Sequence, residues 1–179
     1  MIDEEEIKDL CTKDLRKGIK LLMNRYQEPL YNHIRRLLVS HEDTQDALQE
    51  TFVRVFRSWH TFRGDSALST WIYRIATNES LRIINAHRHE ENLSEEDMQE
   101  ELINRLKTSE YIDYDDAVTV KFQEAILRLP EKQRLVFNFR YYDELSYDEI
   151  AKILDTKVDT LKVNYHYAKE KIKNYIVNN

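Results

Sequence analysis

The sequence is poor in the residues that break or staple a chain. It holds two glycines, two prolines and a single cysteine, Cys11, in 179 residues. So few turn formers leave little room for hairpins or tight-turn repeats. One cysteine excludes an intramolecular disulfide. No run approaches the roughly 20 consecutive apolar residues that a membrane helix needs. The start, Met1-Ile2-Asp3-Glu4-Glu5-Glu6, is acidic and has no apolar signal core. A soluble, cytoplasmic protein without direct membrane insertion is expected. Chemistry-bearing motifs are missing too: there is no phosphate loop and no nucleophile elbow. The six histidines are scattered, and His87-Arg88-His89 has no cysteine or carboxylate set at zinc-ligand spacing. Asp113-Tyr114-Asp115-Asp116 lacks the glycine and distal glutamate of a calcium loop. No metal, no cofactor and no enzymatic activity are expected.

What is present is a helical pattern. Hydrophobic residues make up 41% of the chain, enough for a core. They recur at helical spacing almost everywhere, which predicts an all-α fold. The net charge of −6 argues against nucleic acid at first sight. Residues 90–117, however, hold eleven acids against Arg105 and Lys107, a local net of −9, so the rest of the chain carries +3. An acidic segment separates two mildly basic flanks. Affinity for DNA tracks the number of phosphates neutralised, so flanks this weak need a larger partner.

The periodicity predicts a helix over 14–39, capped by Asp14 and interrupted or restarted at Pro29. Ser40-His41-Glu42-Asp43 approximates a capping box opening a helix over 42–59. On it Leu48, Phe52, Val55, Phe56 and Trp59 are expected in the core. Asp46, Gln49, Glu50 and Val53 fall on a separate stripe at i, i+3, i+4, i+7. Such a stripe is a solvated face or a docking face for a basic helix. Arg63-Gly64-Asp65-Ser66 marks a loop, and a long helix follows over 67–88. Arg74, Asn78 and Arg82 recur on that helix at four-residue spacing, with Arg88 beyond, as a phosphate track would. Residues 91–115 read as an acidic linker with a short helix near Met98–Leu106.

Four more helices are predicted, over 116–129, 131–142, 146–154 and 157–176. Pro130 suits a first helical position, and Ser146-Tyr147-Asp148-Glu149 is a capping box. The last two helices are joined by about three residues. A small Ala151 on the first allows a close crossing, which fits a helix-turn-helix. Leu161, Tyr165, Ala168, Ile172 and Ile176 form the inner face of the last helix. Asp159, Thr160, Val163, His166, Tyr167 and Glu170 lie on the opposite face, with Lys162, Lys169 and Lys173 in a row on its flank; the two acids do not favour DNA. That array suits base edges beside phosphates, or else a helical hairpin with a solvated face.

Leu129-Pro130-Glu131-Lys132-Gln133-Arg134, Leu145-Ser146-Tyr147-Asp148-Glu149-Ile150-Ala151 and Thr160-Leu161-Lys162 resemble the C-terminal domain of extracytoplasmic-function sigma factors. Asp43-Thr44-Gln45-Asp46-Ala47-Leu48-Gln49-Glu50-Thr51-Phe52 resembles that family's polymerase-binding helix, and Trp71-Ile72-Tyr73-Arg74-Ile75-Ala76-Thr77-Asn78 its promoter-recognition helix. The turn carries Asp155 where the family usually has glycine. The resemblance implies two small helical domains, 1–90 and 116–179, joined by the linker 91–115; the second is a four-helix domain with a helix-turn-helix. It implies an alternative sigma factor that binds core RNA polymerase and promoter DNA and is held by an anti-sigma factor, often membrane-anchored. Asp46, Gln49, Glu50 and Val53 would dock on the polymerase clamp helices. Phe62 and Arg63, with Ser69 and Asn78 nearby, would hold a flipped base of the non-template strand. Phe62 serves equally well as a core aromatic, and Trp59 and Trp71 read as core. The linker is either a tether or a negatively charged occupant of the polymerase's RNA path. Two other readings are a stand-alone dimeric helix-turn-helix regulator and a helical adaptor that binds a basic protein through its acidic segment.

Overall fold

The chain's caps and apolar stripes set most of its helix boundaries. The computed structural model describes residues 3–109 and 116–179, which form nine α-helices and one 3-10 turn with no strand among them. Helix α1 (Glu4–Lys13) was hidden in the sequence, because its core face is only Ile7 and Cys11. Helix α2 (Leu15–Leu38) starts at Asp14, whose carboxylate accepts from the Lys17 backbone N–H at 3.2 Å. Contrary to expectation, Pro29 does not break it. An internal proline costs about 3 kcal/mol. Leu22, Tyr26, Leu30 and Ile34 are buried on either side of it, each contributing roughly 1.5–3 kcal/mol, and Pro29 itself faces solvent. The continuous stripe outweighs the missing hydrogen bond.

Helix α1 lies close against the start of α2. A Cβ on Gly18 would sit 2.3 Å from Cys11 Sγ and 2.5 Å from the Cys11 backbone nitrogen. The close crossing therefore requires glycine there. Burial pushes the Cys11 thiol up to about 11, so it is a packing group and not a nucleophile.

Helix α3 (His41–Ser58) is capped by Ser40, which accepts from Asp43 N–H. It continues into the 3-10 turn Trp59–Thr61. Its buried face is rotated from the expected one and holds Thr44, Ala47, Thr51, Phe52 and Val55. Thr44 and Thr51 can be buried because their hydroxyls donate to the Ser40 and Ala47 carbonyls at 2.6 and 2.7 Å. Leu48 and Trp59 are half-buried. Phe56, expected in the core, is 42% exposed.

Helix α4 (Leu68–Glu90) packs against α2 and α3. Within the acidic segment, the short helix expected near Met98–Leu106 is present and extends further on both sides. Helix α5 (Glu95–Thr108) opens with a capping box between Ser94 and Asp97 and buries Met98, Leu102, Ile103 and Leu106. Arg105 ties it to α3 through Asp43 at 3.1 Å and also pairs with Glu101 at 2.7 Å. Residues 110–115, including most of the sequence tested as a calcium loop, lie outside the described residues.

Helices α6 (Ala117–Leu127), α7 (Glu131–Tyr141), α8 (Tyr147–Leu154) and α9 (Val158–Asn178) complete the chain. Pro130 is the N-cap of α7, one residue before the position expected. Both halves of the Ser146–Glu149 capping box form. Asp155 ends α8 in the left-handed region, at φ 49°. Aspartate tolerates that region better than most side chains, so the turn closes without the usual glycine.

The two halves meet along α2, α4, α7 and α8. His33 is fully buried. Its ring nitrogens lie 3.0 Å from Asp143 Oδ2 and 3.0 Å from Thr77 Oγ1. Arg36 Nη2 donates to the other oxygen of Asp143. Phe139 stacks on the His33 ring at 4.7 Å. Asp143, in the turn after α7, thus latches onto α2.

Candidate polymerase and nucleic-acid interfaces

The acidic stripe on α3 is accessible. Asp46 and Gln49 are exposed, and Glu50 and Val53 are half-buried. Gln49 and Val53 border an apolar groove of about 780 Å³ between α2 and α3, which Met23, Leu48, Phe52 and Phe56 also line. This explains why Phe56 is not core: it faces the groove. Phe56 was missed as a site residue because its place on the apolar stripe read as core, and Met23 because it lies beside the main apolar stripe of α2. Glu50 pairs with Arg54 at 3.3 Å, and Arg54 also reaches buried Glu79 at 2.5 Å.

The loop before α4 carries the second candidate set. Gly64 turns it at φ 76°, a conformation favouring glycine. Arg63 is exposed and Ser69 half-buried. Phe62 is half-buried in a triad, 5.6 Å from Trp59 and 5.1 Å from Trp71 between ring centroids. One side of its ring is braced by the protein while the residue keeps some exposure.

Along α4, Arg74, Asn78 and Arg82 are exposed on one side. Their charges are partly engaged. Arg82 pairs with Glu79 at 2.9 Å, and Arg74 donates to the Lys152 carbonyl of α8. Arg88 stands apart, half-buried in a cleft beside Glu95 and Glu131. Glu79 was not anticipated as a partner, since a lone glutamate in a helical pattern carries no sign that it will be buried.

Helix α9 brings its candidates together. Thr160, Lys162, Val163, His166, Tyr167 and Lys169 are all exposed, over Leu161, Ala168 and Ile172, which are buried. Val163 and Tyr167 are 53% and 52% exposed, unusual for large apolar side chains and suited to contact with a partner. Lys162 Nζ lies 6.0 Å from the Tyr147 ring centroid, and Lys169 Nζ 4.8 Å from that of Tyr165. Both contacts hold lysines along the flank without neutralising them. No group of three or more His, Cys, Asp or Glu able to hold a metal occurs among the described residues.

An exposed acidic stripe and an aromatic loop in the first half, and a helix-turn-helix in the second, are the arrangement expected of a helical DNA-binding protein. Comparison with known proteins names the family. The Sigma-70 region 2 family matches residues 22–90, and the Sigma-70, region 4 family matches residues 119–172. The chain is 30% identical over 182 residues to the ECF RNA polymerase sigma-E factor of Escherichia coli K12, covering 98% of this chain and 95% of that one. It is 32% identical over 168 residues to the sigma-E factor of Haemophilus influenzae, covering 90% and 88%. The chain therefore belongs to the extracytoplasmic-function group of RNA polymerase sigma factors. Two solved structures share its fold at 18% identity. CnrH, in complex with the cytosolic domain of CnrY, matches with a TM-score of 0.71 over 100% of this chain and 99% of that one. RpoE in complex with the anti-sigma factor NepR, from Bartonella quintana, matches with a TM-score of 0.68 over 89% and 97%. No described helix is long and apolar enough to cross a membrane.

Proposed function

We propose a division of labour along this alternative sigma factor, in which residues 1–90 bind core polymerase and open the downstream promoter element while 116–179 read the upstream element. Asp46, Gln49, Glu50 and Val53 dock on a basic helix of the polymerase, with the adjoining groove taking apolar side chains. Phe62 and Arg63 hold an unstacked base, with Ser69 beside them. Extrusion costs a few kcal/mol, and aromatic stacking returns roughly 1–3 kcal/mol per base. Arg74, Asn78, Arg82 and Arg88 follow the strand, although the setting of Arg88 makes it the weakest member of the track. On α9, Lys162 and Lys169 contact phosphates, and Thr160, Val163, His166 and Tyr167 face bases. Residues 91–115 connect the two functions. The polymerase performs the chemistry, so this chain is not itself an enzyme. An anti-sigma factor holds it inactive, a reading supported by the anti-sigma factor NepR bound to one of its fold neighbours.

The observation that carries this reading is the set of exposed side chains on α9, presented by a short helix-turn-helix joint. Purified protein, sigma-free bacterial core polymerase and a fragmented genomic library from the source organism would test it. Initiation at discrete sites only when this protein is added supports the reading and yields the promoter. A stand-alone dimeric regulator would instead bind a palindrome without polymerase and give no initiation.

A further inference from the structure

The N-terminus of α4 lacks a cap of its own. Its N-cap residue, Ala67, has no side-chain acceptor. The first N–H groups of a helix have no partner within it, and negative charge is favoured there. The acceptor comes from the other end of the domain. Glu4, in the first turn of α1, accepts from Leu68 N–H at 3.1 Å through Oε2 and from Ser69 N–H at 3.2 Å through Oε1. The buried hydroxyl of Tyr26 donates to the same carboxylate at 2.8 Å. Burial raises the Glu4 carboxyl, but these hydrogen bonds outweigh it and hold the group below its ordinary value. One turn further along α1, Lys8 Nζ lies 5.8 Å from the Phe62 ring centroid. Helix α1 thus meets Phe62 at the start of the loop 62–67 and the first turn of α4 that follows it.

We propose that Glu4 is a positioning residue for promoter opening. It fixes the first turn of α4, and with it the loop 62–67, in the pose that receives an unstacked base. This rests on the reading that Phe62 and its neighbours hold that base. The carboxylate makes no contact with DNA; it acts through the backbone of Leu68 and Ser69. Gln at this position keeps one good acceptor and loses the charge.

The test uses holoenzyme reconstituted from full-length protein and core polymerase, on the promoter recovered from the genomic library. Strand opening is followed with 2-aminopurine in the downstream element. Glu4→Gln and Tyr26→Phe should open duplex promoter roughly tenfold more slowly, equivalent to ~1.4 kcal/mol. Affinity for core should be unchanged, and initiation from saturating pre-opened template should match wild type. Phe62→Ala serves as reference. Wild-type opening by Glu4→Gln alongside slow opening by Phe62→Ala would overturn the proposal and leave the base-holding reading intact. Wild-type opening by Phe62→Ala would remove that reading and the proposal together. A defect that persists on pre-opened template, or weaker core binding, would make Glu4 merely structural and overturn its positioning role.

Discussion

Replacing Asp143 with alanine should part the two halves of this protein. The Asp143 carboxylate is 6% exposed, and its partners His33 and Arg36 are 0% and 11% exposed. Alanine would leave Arg36 and the His33 ring facing a void of low dielectric. Removing one partner of a buried pair costs about 3–5 kcal/mol. Other polar contacts also cross between the halves, among them Arg74 to the Lys152 carbonyl and Gln99 to the Leu129 carbonyl at 3.2 Å, but none among the described residues is a buried ion pair. Arg128–Glu100, at 2.5 Å, and the Glu131 N–H to Glu95, at 3.0 Å, are exposed, and an exposed ion pair contributes at most about 1 kcal/mol. An apolar core also crosses the junction, since Val136, Phe139, Ile150 and Ile153 share one cluster with Ile34, Ile72 and Ile84, so the latch acts on top of that burial. Losing ~3 kcal/mol there shifts the balance of closed and parted forms on the order of a hundredfold. Small-angle scattering reads the outcome. A compact chain of 179 residues has a radius of gyration of about 16 Å, and parting the halves raises it. Asp143→Asn, which keeps a hydrogen bond to His33 and loses the charge, should fall between. Unchanged scattering and an unchanged melting temperature for Asp143→Ala would refute the idea that this latch holds the halves together.

Four other outcomes follow from named contacts. Gly18→Ala should lower the melting temperature and expose Cys11 to alkylation, because the new Cβ collides with backbone that has no room to yield. Asp46→Ala combined with Glu50→Ala should weaken polymerase affinity with an unchanged circular dichroism spectrum, as titration with labelled core would reveal. Lys162→Ala should reduce the salt slope of upstream-element binding by about one, whatever the base sequence. Glu4 stabilises the fold above its ordinary value of 4.5, and this contribution is lost as pH falls through its lowered native value. Melting temperatures of wild type and Glu4→Gln should therefore converge on acidification below 4.5.

Local signals were legible in the sequence, and relations between distant residues were not. Ser40, Ser146 and Asp14 cap the helices they were expected to cap, because a capping bond joins residues two or three apart. Pro29 was misread since its local penalty is visible in sequence while the packing that overrides it is not. The inner face of α3 was misjudged for a related reason. A helical wheel ranks Phe56 above Thr44 and Thr51, yet hydroxyls satisfied within their own helix bury well, and the groove leaves Phe56 at the surface. The Asp143 latch spans 107 and 110 residues and the Glu4 clamp 64 and 65. No periodicity reports such pairs.

The latch and the residues proposed to follow the DNA strand belong to one geometry. Closing the halves sets Arg74 against the Lys152 carbonyl. It also places Asn78 in the same cleft as Thr160 and Asn164, with a volume of about 480 Å³. That volume is on the scale of a small ligand, whereas the major groove of a duplex is by itself ~12 Å wide. For Arg74 and Asn78 to follow a DNA strand, α8 must first move away from α4. Most of α9's outer face is under no such constraint, since Lys162, Val163, His166, Tyr167 and Lys169 are exposed with the halves closed. Upstream reading and downstream opening should therefore respond differently to the latch. Asp143→Ala ought to speed strand opening by holoenzyme at limiting protein while leaving upstream-element affinity unchanged. Equal effects on both would mean that the closed form hinders DNA in some way other than by covering α4.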